Sequence, residues 1–216
     1  MPRPPKPPIE LLETCNRWSQ AVETITGNDA RMSFFKKELA VFLKNHSLLV
    51  LLLKNMESGR PYPDLRQAQM IDDEILLYLN PKRIFSLRMF LYGPEDFTPI
   101  HDHNSWGVSG AAFGELGVMR YTREDDGTVE GYARLRQTDR LRLMPGEIEL
   151  TRPLNDGIHQ TGNPGKGVTV MISTYGSPMR RLYINRFNLE HDRVERLYPP
   201  HIKKKMLAAQ ALKNFS

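Results

Sequence analysis

The sequence predicts a mostly β protein, a small barrel fronted by an N-terminal layer of α-helices. Three observations carry that expectation. Apolar residues follow helical spacing through the first quarter of the chain. From Ile84 onward, short alternating runs recur behind turn signals at Gly93-Pro94-Glu95-Asp96, Asp125-Asp126-Gly127, Pro145-Gly146, Asn155-Asp156-Gly157 and Asn163-Pro164-Gly165. One of those runs holds His101-Asp102-His103, and a later one opens with His159.

In order, residues 1–8 are proline-rich and read as an extended leader. From Ile9 to about Thr26, the residues Leu11, Leu12, Cys15, Trp18, Ala21, Val22 and Ile25 make a helical stripe, closed by Gly27 and Asn28. Asp29 is the expected cap of a second helical region over 30–56, with a break at Asn45–Ser47; His46 reads as a helix-end residue. Ser58 to Pro63 is a loop, residues 64–70 fit a short helix, and Ile71 to Leu79 reads equally as helix or strand. Ile84 to Tyr92 alternates, with Phe85, Leu87, Met89 and Leu91 on one face and Ser86, Arg88, Phe90 and Tyr92 on the other. Lys203 to Phe215 suggests a short basic helix. The expected organisation is one domain over 1–216: a helical layer over 1–80, the barrel over 81–200, and a basic helix or tail over 201–216.

Composition is that of an ordinary globular protein, with 40% hydrophobic and 25% charged residues in a chain of 216. The net charge of +5 is spread along the chain, without an arginine–aromatic module, so nucleic acid is not an expected partner. Cys15 is the sole cysteine, which fits a reducing cytoplasm. The longest apolar run, Leu48 to Leu53, is far too short to span a bilayer, so no membrane contact is expected. Oligomeric state is left open.

Residues two apart on a strand share a face, so His101 and His103 can point into one interior, with His159 as the third nitrogen from a neighbouring strand. No acidic residue follows His103 within five positions, and Glu115 lies beyond Gly114; a neutral three-histidine face is expected. Imidazoles suit iron, nickel, copper and zinc, and a facial triad with open positions is the arrangement that activates dioxygen at Fe(II). Zinc hydrolysis is the rival, because three histidines plus water is also a catalytic zinc set. Asp102 alternates away and is expected to support the site or lie at the surface. Trp106 is expected under the helices, and Tyr183 and Phe187 in the core. His191 and His201 read as surface, and Gln160 and Thr161 as supporting or structural.

Ile100-His101-Asp102-His103, Ser105-Trp106-Gly107-Val108, Gly110 and Gly114-Glu115-Leu116 together resemble the cysteine dioxygenase family of cupins. The wording is closest to its bacterial 3-mercaptopropionate dioxygenase branch. Gly157-Ile158-His159 is similar to the third-ligand segment, and Ile172 to Pro178 to the strand that carries the family's active-site tyrosine. The likeness covers roughly residues 84–180. It implies a cupin barrel (double-stranded β-helix) and an Fe(II)-dependent oxidoreductase that adds dioxygen to a small thiol of the cysteine or 3-mercaptopropionate type, giving a sulfinic acid. It also implies His101, His103 and His159 as iron ligands and Tyr175 over the open face.

The chain departs from the family in its late strand, which reads Met171, Ser173, Tyr175 where the family has Ser-x-His-x-Tyr. Val108 replaces the crosslinking cysteine of animal members. Arg88 is the candidate carboxylate clamp if its face is interior; the competing readings point that face outward or pair Arg88 with an internal acid. Arg83 is the weaker rival. Alternatives to the dioxygenase are a cupin with zinc or nickel chemistry or another oxygenation, and a non-catalytic cupin that binds a metal or small ligand.

Overall fold

The computed structural model describes residues 6–67, 70 and 74–213. Its helices are α1 (Ile9–Thr24), α2 (Asn28–Phe42), α3 (His46–Glu57) and α4 (Pro200–Lys213). Leu11, Cys15, Trp18 and Val22 form the buried stripe of α1. Asp29 does not cap α2: Gly27 precedes the helix with φ +84°, and Asp29 sits inside the first turn. There its carboxylate pairs with Arg152 at 3.0 Å, at the helix end that favours negative charge. The expected break falls at Asn45, whose side chain accepts the Leu48 N–H at 3.1 Å and starts α3. Residues 64–67 form a turn and bend where a short helix was expected; the remainder of that stretch, like residues 1–5 and 214–216, falls wholly or partly outside the described residues.

The first strand comes earlier than the expected boundary. The ambiguous apolar run resolves as β1 (Glu74–Leu79), because it finds an antiparallel partner in β2 (Phe85–Tyr92), with Glu74 opposite Phe90. The other strands are β3 (Ile100–His101), β4 (Gly107–Phe113), β5 (Leu116–Arg123), β6 (Leu135–Leu143), β7 (Ile148–Thr151), β8 (His159–Gly162), β9 (Thr169–Gly176), β10 (Ile184–Asn188) and β11 (Arg193–Leu197). One sheet runs β1-β2-β9-β4-β7, and the other β11-β10-β3-β8-β5-β6. Their pairings are antiparallel, and the two sheets enclose one interior, as in a double-stranded β-helix.

Alternation divides the apolar residues between layers. Phe85, Leu87, Met89, Val108 and Ile172 face out from the first sheet and pack beneath α1, α2 and α3 with Trp18, Phe35 and Leu39. Phe90, Tyr92, Ala111 and Met171 face in and meet Leu116 and Val118 of the second sheet. A third cluster, Ile100, Tyr121, Ala133, Ile158 and Phe187, includes the immediate neighbours of His101 and His159. Each histidine is therefore an inward residue beside an outward one. Phe187 is core as expected, whereas Tyr183 is only half-buried, between the guanidinium groups of Arg181 and Arg196, each 5.1 Å from its ring.

Candidate metal centre

His101 ends the two-residue strand β3 and stands directly opposite His159 on β8. His103 follows in the loop to β4. The three rings converge, with centroids 4.6, 5.0 and 4.7 Å apart, and each residue is at most 8% exposed. One nitrogen from each lies within 4.8 Å of the others, and His103 Nε2 is 2.8 Å from His159 Nε2. Two metal–imidazole bonds of about 2.0–2.1 Å at right angles would separate their nitrogens by about 3 Å, so the spacing fits a shared ion.

The local chain orients these rings. His101 Nδ1 donates to the Pro99 carbonyl at 2.8 Å, since a carbonyl can only accept, and this leaves Nε2 as the free lone pair. Burial lowers the basicity of all three imidazoles, most strongly at His103 and His159. Neutral imidazole is the ligating form, so the donor set fits a transition metal.

Asp102 is buried and takes no place among the ligands. Its oxygens accept from Arg181 Nη1 and Nη2 at 2.9 and 2.6 Å, and from the Asn185 N–H and Nδ2 at 2.7 and 2.8 Å. Arg181 also donates to Asn104 Oδ1 through Nε at 2.5 Å. One guanidinium thus ties down both neighbours of His103 in the chain. Sequence reasoning missed Arg181 and Asn185, which come from a distant loop and strand.

Tyr175 stacks on His103, with centroids 5.8 Å apart and planes at 19°. Burial pushes the pKa of its hydroxyl up, against the opposing pull of the Ser173 and Ser109 hydroxyls and the Arg88 charge. Ser173 in turn donates to Ser109 Oγ at 2.8 Å, directly across the β9–β4 pairing. Ser173 is thus satisfied by a serine of the neighbouring strand. The residue opposite Tyr175 is Gly107, not Val108, which faces out beneath the helices. A side chain has no room there: a Cβ on Gly107 would come within 2.9 Å of the tyrosine ring. Trp106 packs under the helical layer as expected, 5.6 Å from Phe35.

Arg88 lines the interior cavity and is paired there with an internal acid, one of the competing readings that the sequence offered. Its guanidinium contacts Glu74, donates from Nε to Ser86 Oγ at 3.1 Å, and lies 5.7 Å from the Tyr175 ring centroid. Sequence reasoning missed Glu74, because it lies within Ile71 to Leu79, the run that read equally as helix or strand. These residues line a cavity of about 330 Å³ with His101, His103, Phe90 and Ile184, and the exposed Arg83 stands at its edge.

A second cavity of about 440 Å³ borders His159 from another side, between β5 and β7. Arg120 crosses it to the buried Glu149, through Nε at 3.0 Å and through Nη2. His159 Nδ1 and Thr151 Oγ1 border this cavity and have no hydrogen-bond partner among the described residues. Gln160 and Thr161 serve the fold: Gln160 Nε2 donates to the Thr98 carbonyl at 2.8 Å, and the Thr161 N–H to Thr98 Oγ1 at 3.1 Å. His46, His191 and His201 lie away from the centre, at a helix start, a turn and the start of α4.

No family model matches the chain. Similar solved structures include a double-stranded β-helix protein from Klebsiella pneumoniae subsp. pneumoniae MGH 78578, at 13% identity, 49% of this chain, 76% of that one and a TM-score of 0.36. A cupin 2 barrel protein from Salinispora arenicola CNS-205 matches at 15%, 52%, 83% and 0.37 by the same measures. Another, from Rhodopseudomonas palustris, matches at 12%, 55%, 68% and 0.40. Among the described residues, no single helix is long and apolar enough to cross a membrane. The two antiparallel sheets around one interior, with helices on one outer face, make the fold a cupin barrel with a helical layer.

Proposed function

We propose that this protein is a thiol dioxygenase-like, iron-dependent oxidoreductase acting on a small thiol. The observation that carries the reading is the convergence of three neutral imidazoles beside a cavity that Tyr175 also lines. His101, His103 and His159 would hold the ion. Iron(II) in such a set would supply open positions for a thiolate and dioxygen and a route for electrons from sulfur to dioxygen. In the balanced reaction RSH + O₂ gives RSO₂H: both oxygen atoms join sulfur, which is oxidised as dioxygen is reduced, and the hydrogen ends as the acid proton.

The chain's own residues suit that chemistry. Three uncharged ligands leave the ion's full charge to attract an anionic sulfur. Tyr175, its pKa raised by burial, keeps its proton at neutral pH and acts as a hydrogen-bonding group beside His103, not as a competing phenolate. Phe90 and Ile184 give the cavity apolar walls that limit water. The two buried glutamates nearest the site, Glu74 and Glu149, are each occupied by an arginine, so neither is a free base for metal-assisted hydrolysis.

The test is metal analysis of protein purified without added metal, with oxygen uptake on cysteine, 3-mercaptopropionate and cysteamine. Near-stoichiometric iron and uptake on a thiol are expected, and His159→Ala should lose both. Iron without uptake would redirect the assignment to another oxygenation. Zinc, nickel or no metal, with no uptake, would overturn it in favour of other metal chemistry or ligand binding.

A further inference from the structure

Resting on the thiol reading above, we infer that Glu74 sets the charge preference of the cavity. By holding Arg88, it makes the site select thiols that end in an ammonium or a hydroxyl over thiols whose far end is a carboxylate.

The inference begins with strand pairing. β1 lies beside β2, with Glu74 opposite Phe90 and Leu76 opposite Arg88, which brings the Glu74 carboxylate onto the guanidinium. The Glu74 side chain is 5% exposed and that of Arg88 26%, so water does little to screen the pair. Both line the cavity together with His101, His103 and Tyr175.

Donor counting then decides what Arg88 can offer. A guanidinium receives a carboxylate through two adjacent N–H groups, either the Nε edge or the Nη1–Nη2 edge. Here Nε is given to Ser86 Oγ, and Nη1 meets Glu74. Neither edge is open. A ligand carboxylate that took both N–H groups of an edge would have to break one of these contacts, and one that accepted from Nη2 alone would sit against the Glu74 charge. An ammonium or hydroxyl faces no such conflict, because it can donate to a carboxylate oxygen of Glu74 while Arg88 stays paired. Arg83, the other cation among the described residues that line this cavity, is exposed at its edge, where solvent weakens its pull.

The experiment compares three thiols of one length, HS–CH₂–CH₂–X: cysteamine, 2-mercaptoethanol and 3-mercaptopropionate. Cobalt(II)-loaded full-length protein under anaerobic conditions reports binding through the thiolate-to-cobalt absorption, without turnover. Cysteamine and 2-mercaptoethanol should bind about tenfold or more tighter than 3-mercaptopropionate. In E74Q, which keeps the shape but frees Arg88 from a charge, 3-mercaptopropionate should gain about tenfold and cysteamine should lose about tenfold, so that the order of these two reverses. Tightest binding of 3-mercaptopropionate by the wild type, or an unchanged order in E74Q, overturns the inference while leaving the thiol reading intact. Absence of the absorption with all three thiols overturns the thiol reading itself. If E74Q does not fold, the wild-type order decides alone.

Discussion

At the residue scale, the centre is built from imidazoles that have given up most of their affinity for protons. Burial is the leading cause for His101, His103 and His159, and mutual repulsion adds to it for the last two. Unfolded histidines titrate near pH 6.5. Below that value the unfolded chain binds more protons than the fold, so acid favours unfolding. The stability contribution is fully present above about pH 6.5 and is lost as pH falls toward the depressed folded values. Its slope approaches about 1.4 kcal/mol per pH unit for each histidine. Metal-free protein should therefore show a denaturation midpoint that drops between about pH 6.5 and 5, with metal opposing the drop. A flat profile for metal-free protein over that range would refute the account of these pKa values.

At the scale of elements, β4 and its approach loop do the positioning. The loop from His101 to Gly107 is held through Asp102 and Asn104 by Arg181, and β4 then passes Tyr175 at Gly107. The tyrosine ring fits because Gly107 lacks a Cβ. Gly107→Ala should push the ring off His103 and cost about 1–3 kcal/mol of stability, the usual range for overpacking. Under the proposed function it should also lower kcat for thiol oxidation. Gly167→Ala, which adds a methyl to open space, is the control and should change stability by no more than about 0.5 kcal/mol. Equal behaviour of the two variants in unfolding and in oxygen uptake would remove Gly107 from the positioning scheme.

Across the whole molecule, the helical layer is a structural part of the barrel. Phe35 is fully buried and touches Trp18, Phe85 and Trp106 at centroid distances of 5.6, 4.9 and 5.6 Å, joining α1, α2, β2 and the loop before β4. Phe35→Ala should cost about 3–5 kcal/mol in chemical denaturation. Because the same residue supports Trp106, weaker metal retention should accompany that loss. A variant that lost this stability yet kept its metal affinity would show that helices and centre are uncoupled. The basic helix α4 contributes no buried residue among those described.

Much of this was legible in the sequence, because alternation is a local property. The period of two assigned Ser86, Arg88, Phe90 and Tyr92 to one face, and His101 and His103 to another, before any partner strand was known. Turn chemistry at Asn155-Asp156-Gly157 likewise delivered His159 to a strand start. Spacing was silent about which residues meet. Glu74 reached Arg88 only once an ambiguous run became β1, and Arg181 reached Asp102 from a distant loop. Ser109 met Ser173, and Gly107 rather than Val108 met Tyr175, because register between β4 and β9 depends on the whole sheet. The sequence by itself therefore determined which side chains share a face, a choice made by steric alternation along one strand. Only the tertiary structure decided the neighbours on that face, since pairing between strands far apart in the chain depends on packing energies summed over both layers.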